Sequence, residues 1–177
     1  MIEIEVYALS AVSNIPSIVI WALLAVLVVG IGDIVLTQKT RKAQKISLLL
    51  LAEWVTLIYC SSIVFRAPRE VSSINFLPLW SYFDYAENSY LKEMAAVNFL
   101  NVVLFVPVGF LLKLGIQNTT WKHVLMAGLI LSATIEILQF LLCKGLCEID
   151  DLIHNVLGCM LGYLLCYMIL KRYFKHV

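Results

Sequence analysis

The sequence predicts an all-α, polytopic membrane protein of about five transmembrane helices joined by short loops. Three observations predict it. Hydrophobic residues make up 62% of the 177-residue chain and charged residues 14%, with a mean hydropathy of +0.91. Soluble domains run about 45–50% apolar and about 25% charged, so one small core cannot hide the excess and lipid must cover it. Five stretches reach the length of about 20 mostly apolar residues that a helix needs to cross the hydrocarbon layer. No stretch alternates with period 2, which argues against a membrane barrel.

The first span is Ile15–Leu36, containing IVIWALLAVLVVGI. The segment before it, MIEIEVYALS, is acidic and lacks the basic region of a signal peptide. The second span is Ile46–Phe65, the third Ala95–Leu114, the fourth Trp121–Leu142 and the fifth Leu152–Leu170. The longest connection, Arg66–Met94, carries Phe76, Trp80, Tyr82, Phe83, Tyr85 and Tyr90. Such aromatics favour the headgroup region, so this loop is expected to lie along the membrane interface. The chain reads as a single membrane domain over 1–177, in which 1–45 forms an extra N-terminal helix with its cytoplasmic loop. No internal repeat is present.

Basic residues orient the spans, because cytoplasmic loops collect Lys and Arg. Lys39, Arg41, Lys42, Lys45, Lys113, Lys122, Lys171, Arg172 and Lys175 fall on one side of a five-span chain, and only Arg66, Arg69, Lys92 and Lys144 on the other. The expectation is a cell-membrane protein with the N-terminus outside and the C-terminus in the cytoplasm. A net charge of +1 with no basic patch gives nucleic-acid binding no support. The five cysteines form no CxxC pair and have no histidine at zinc spacing. Most sit in apolar runs, where cysteine acts as a small hydrophobe. Cys143 and Cys147 flank a short loop, a spacing that is usually incidental.

Polar residues within spans are the informative ones, since a charge at mid-bilayer costs roughly 2.5–3.5 kcal/mol on insertion scales. Asp33 lies near a helix end and can reach water. Glu53 is deeper and is expected to be shielded from lipid, and paired or protonated. The main cluster comes from three helices. Asn98 and Asn101 are three apart on the third span, as are Glu136 and Gln139 on the fourth, so each pair shares a face. Asp150 with His154, and Asp151 with Asn155, share faces at four-residue spacing at the head of the fifth. Asn101 and Glu136 each lie six residues from the outer end of their helix, about 9 Å deep at 1.5 Å per residue. Antiparallel packing therefore brings Asn98, Asn101, Glu136, Gln139, Asp151 and Asn155 to one layer of the outer leaflet. Interhelical hydrogen bonding accounts for two or three such residues. It accounts less well for a layer that also holds two carboxylates, which points to a functional polar pocket. Gly158 and Gly162, in GCMLG, have the GxxxG spacing of close helix approach and follow Asn155 on the same face. The fifth helix is thus expected to be central.

The cluster leaves chemistry open. There is no GxSxG, HExxH or phosphate loop, and no cofactor or metal is expected, with a hard cation on the carboxylates as the alternative. Glu136, Asp151 and His154 are the candidate catalytic groups, because carboxylates and imidazole are the usual acid–base agents.

These segments resemble the VanZ-like family of bacterial membrane proteins, whose namesake is associated with resistance to the glycopeptide teicoplanin. The resemblance rests on NFLPLW (Asn75–Trp80), NFLNVVLFVPVGFLL (Asn98–Leu112) and IEILQFLLCKGLCEIDDLIHNVLGCMLGY (Ile135–Tyr163). Asn75, Pro78, Asn101, Pro107, Gly109, Glu136, Gln139, Asp151, Asn155, Gly158 and Gly162 occupy the pattern's positions. The matching stretch runs from about Arg66 to about Leu170, within a VanZ-like region 46–170. Leu79-Trp80 stands where many members have Phe, and Cys143-Lys144-Gly145 where many carry Arg; Lys144 can supply a charge there. The resemblance adds Asn75 to the binding candidates. It implies a protein that lowers glycopeptide sensitivity by acting on an outer-leaflet lipid or lipid-linked cell-wall precursor. An intramembrane enzyme modifying a lipid headgroup is the second reading. The third is a small transporter or a scaffold with a structural polar layer; a transporter of this size would need to pair as a homodimer.

Overall fold

The structure is a computed structural model that describes residues 41–83 and 91–173. The first span, Ile15–Leu36, and Asp33 lie outside these residues. Helix α1 (Arg41–Tyr59) runs on into a π-helical turn, Cys60–Val64. The connection that follows contains a two-residue strand β1 (Ile74–Asn75) and a short helix α2 (Trp80–Phe83). Helices α3 (Leu91–Gly115) and α4 (Trp121–Leu141), strand β2 (Cys147–Glu148) and helix α5 (Ile149–Tyr173) follow. Among the described residues, four helical stretches are long and apolar enough to cross a membrane: Ala43–Val64, Ala95–Gly115, Trp121–Leu141 and Ile149–Arg172. They are the second to fifth expected spans, and the protein is a multi-pass, all-α membrane protein.

The α3–α4 hairpin does not pack mainly on itself. α3 makes its most extensive contact with α5, α4 also packs against α5, and α1 covers α3. The reason lies in the glycines. A Cβ built on Gly158 would lie 2.2 Å from the Val102 carbonyl oxygen, and one on Gly162 would lie 1.9 Å from that of Val106. From the other helix, a Cβ on Gly109 would lie 1.8 Å from the Cys159 carbonyl oxygen. Two backbones therefore touch where methyl groups would have to overlap. Without a hydrophobic force between helices in lipid, this close van der Waals contact drives their association. On the other side of α5, Gly128 of α4 sits over Cys159, with milder spacing of 3.1 Å to the sulfur.

Large apolar side chains point away from the bundle, including Leu49, Phe99, Ile130 and Leu141. They form the lipid-facing surface. Inside, Trp54 and Ile58 of α1 meet Phe105, Val108 and Leu111 of α3, with Val124, Ile135 and Cys159. Pro107 sits within α3 and cannot donate to the turn before it. The indole N–H of Trp54 donates to the Leu104 carbonyl of that turn at 2.9 Å, in a setting where water cannot substitute. Tyr59 and Thr134 join α1 to α4 through their hydroxyls at 2.6 Å. Glu53 is half-buried. All five cysteines are free, Cys143 and Cys147 among them.

One end of the bundle is stitched by its connections. β1 and β2 pair in parallel, with Ile74 opposite Cys147 and Asn75 opposite Glu148. The Cys147 N–H donates to the Ser73 carbonyl, and the Arg69 N–H to that of Cys143. The loop after α1 is thereby tied to the α4–α5 connection.

The glycine contact makes a quantitative prediction. Gly162→Ala should lower stability by about 1–3 kcal/mol, the usual cost of overpacking a tight contact, whereas Gly128→Ala should be much milder. Thermal unfolding of both variants in detergent checks the ranking; equal melting temperatures would contradict the backbone contact.

Candidate functional site

At the stitched end, three of the sequence candidates converge. The Asn101 amide of α3 donates to the Asp151 carboxylate, in the first turn of α5, at 2.7 Å. Glu136 of α4 is 4% exposed and accepts the backbone N–H of Glu148 at 3.0 Å. Both acids act on the same neighbours, Cys147 and Arg66. The bond from Glu148 exists because β1 pulls β2 over the end of α4.

The amides flank the acids. Gln139, one turn from Glu136, donates its Nε2 hydrogen to the Ser62 carbonyl at 3.1 Å. Ser62 is in the π-helical turn, so this bond ties α4 to α1. Asn155, one turn below Asp151, lies 2.9 Å from the Ser132 hydroxyl through its Nδ2 and ties α5 to α4. The oxygens Gln139 Oε1 and Asn155 Oδ1 are buried with no hydrogen-bond partner among the described residues. Asn98 is buried at 2% exposure on α3.

Asn75 and His154 organise the loop. The Asn75 side chain accepts the Leu77 N–H at 3.1 Å, an Asx-turn. His154 Nδ1 faces the Asp150 carbonyl at 2.6 Å. That carbonyl can only accept, so Nδ1 carries the proton, and Nε2 meets the Tyr82 hydroxyl at 2.9 Å. The Asp150 carboxylate accepts the N–H of Leu79, whose φ of 61° is left-handed. Together they clamp the Asn75–Phe83 segment onto the head of α5.

Four participants are not among the residues that the sequence singles out. Arg66 stands there only in the count of basic residues, and Glu148 only as a letter of the motif Ile135–Tyr163. Ser132 lies four residues before Glu136 on the same helical face, and that spacing is the signal by which it could be found. Tyr82 stands there only as an interfacial aromatic. Lys144, which the sequence allows to supply a charge, donates to the Ile63 and Val64 carbonyls at 2.8 and 3.0 Å. It caps the end of α1, and Arg66 supplies the cation.

Electrostatics outside the spans follow from this crowding. Burial is the main influence lowering the Arg66 pKa, followed by Arg69, while Asp151, Glu136 and Glu148 oppose it. Much of Arg66 remains exposed, and a guanidinium stays protonated, so it is a fixed positive charge. Burial, then the charges of Glu136, Asp151 and Glu148, push the Cys147 thiol up, which makes it a poor nucleophile at neutral pH. Burial, then Asp151 and Asp150, push the Glu148 carboxyl up to about 7, with Arg66 and Arg69 pulling it down. Among the described residues, no group of three or more His, Cys, Asp or Glu side chains is placed to hold a metal ion.

The Glu148 shift fixes the sign of a pH effect. Its folded pKa lies above the unfolded value, so between the two the folded state holds more protons and stability falls as pH rises. Glu148→Gln should flatten the decline in melting temperature between about pH 5 and pH 7, measured in detergent. An unchanged slope would place the titrating group elsewhere.

Comparison with known proteins adds identity to this geometry. Residues 45–171 match the VanZ/LLP1 family model. Protein VanZ of Enterococcus faecium is 37% identical over 62 residues, which cover 35% of this chain and 38% of that protein. The alignment thus spans little more than a third of that relative's length. No solved structure matches the chain. The family match extends over well more than half of the sequence, bears out the resemblance read from the motifs, and includes every helix of the polar layer: the chain belongs to the VanZ/LLP1 family.

Proposed function

We propose that the protein lowers sensitivity to a glycopeptide antibiotic by engaging an outer-leaflet lipid or a lipid-linked cell-wall precursor through its polar layer. The observation that carries this reading is the convergence of Asn101, Glu136 and Asp151 at one end of the bundle. The excess of basic residues at the opposite end supports placing the layer outside, where such antibiotics meet lipid-linked targets. The proposed topology therefore has the N-terminus outside and the C-terminus in the cytoplasm. Family membership and the relative named VanZ support the link to resistance. In this reading the layer is a recognition site, and Arg66 keeps its acids within reach of a fixed positive charge.

Two measurements test it. A cysteine introduced within Lys39–Lys45 should resist a membrane-impermeant label on intact cells, and labelling there would invert the topology. Glu136→Gln keeps shape and hydrogen bonding but removes the charge. With membrane abundance unchanged, the variant should reduce glycopeptide tolerance to that of cells lacking the protein. Full tolerance would leave the layer as a structural hydrogen-bond network.

A further inference from the structure

We propose that the polar layer is a receptor for a primary ammonium group, which the Glu136 and Asp151 carboxylates and the Gln139 amide oxygen hold together. The inference rests on the layer being a headgroup site and names what that headgroup must carry. It follows from a shortage of hydrogen-bond donors. An ionised carboxylate can accept about four hydrogen bonds. Glu136 receives one from the Glu148 N–H and Asp151 one from Asn101. Gln139 is 3% exposed and its oxygen has no hydrogen-bond partner among the described residues. Turning the amide does not help, because its nitrogen is committed to the Ser62 carbonyl, which can only accept. Asn155, 4% exposed and one turn below Asp151, leaves a second oxygen without a partner among the described residues. An unmet buried acceptor costs about 1–3 kcal/mol. Two of them beside two acids define the missing partner as a donor.

The geometry narrows that donor. The Gln139 oxygen faces the loop that carries Gly145 and Arg66: it lies 3.0 Å from the point above Gly145 where a Cβ would sit, and an Arg66 Nη lies 3.3 Å from the same point. Arg66 in turn lies in the field of Glu136, Asp151 and Glu148. A bare metal ion does not fit, because no three metal-ligating side chains converge among the described residues. Among the described residues, the ammonium of Lys144 is engaged by the Ile63 and Val64 carbonyls. A primary ammonium brings three donors and one positive charge, matching two carboxylates and one amide oxygen. A quaternary ammonium has the charge and no N–H to donate. Such an amine can come from a lipid headgroup or from the peptide of a cell-wall precursor.

The test uses the purified full chain in detergent and titration calorimetry. Short-chain phosphatidylethanolamine should bind at least about tenfold more tightly than the matching phosphatidylcholine or phosphatidylglycerol. A water-soluble peptide carrying a lysine amine, compared with its acetylated form, separates the sources. Binding of the lipid alone assigns the amine to a headgroup, binding of the peptide alone to a precursor, and both outcomes support the proposal. Equal binding of phosphatidylcholine would overturn it. So would equal binding of phosphatidylglycerol, which would mean that Arg66 and Arg69 capture an anion. Binding of neither amine probe would overturn it as well. Glu136→Gln should weaken amine binding about tenfold, while Glu53→Gln, on α1, should not. If the Glu136 variant fails to fold, the headgroup series on the unaltered protein still decides. Amine binding without any change in glycopeptide tolerance would remove the resistance reading and leave the ligand class, and the converse result would do the reverse.

Discussion

The distance between α3 and α5 is set where Gly109, Gly158 and Gly162 meet opposing backbone with no room for a methyl group. Lipid provides no hydrophobic drive for two apolar helices to associate, so a contact of this closeness is what holds them. Its consequence extends up the helices. Asn101 and Asp151 sit beyond the glycines toward one end of the same interface, and the short helix separation lets a side-chain amide reach a carboxylate directly at 2.7 Å. Helix α5 also packs against both α3 and α4, so the acid of α4 and the acid of α5 share one layer.

The acids would be costly if they were exposed to lipid, and the connections of the fold prevent that. β2 lies over Glu136 and presents a backbone N–H to it. β1 holds β2 in place, and the clamp of Asp150, His154 and Tyr82 holds the following segment. Lys144 and Gln139 satisfy the carbonyls at the end of α1. The Gln139 and Asn155 oxygens stay unmet by the described residues, each one helical turn from an acid.

Much of this architecture is legible in the sequence. The second to fifth spans follow from hydropathy, because lipid demands long apolar helices. Counting residues from helix ends places Asn101 and Glu136 at one depth, since the helical rise is constant. GxxxG marks the close face of α5. Arg66 and Glu148 are not legible as members of the layer. Their positions depend on Ile74 pairing with Cys147, a non-local contact between two-residue strands that no periodicity announces. Nor do short connections reveal that α3 and α4 each pack more extensively on α5 than on one another. Asn75 and His154 carry chemistry-bearing side chains in suggestive positions, and only the path of the loop shows Asn75 shaping a turn and His154 holding Tyr82.

The most direct measurement is an experimental structure of the protein in lipid nanodiscs. The account predicts the Asn101 amide on the Asp151 carboxylate, Glu136 in the same layer beneath the β2 backbone, and α3 and α5 in backbone contact at Gly109, Gly158 and Gly162. Asn101 turned toward lipid, or Glu136 and Asp151 held in separate environments by helices that do not touch at these glycines, would contradict it.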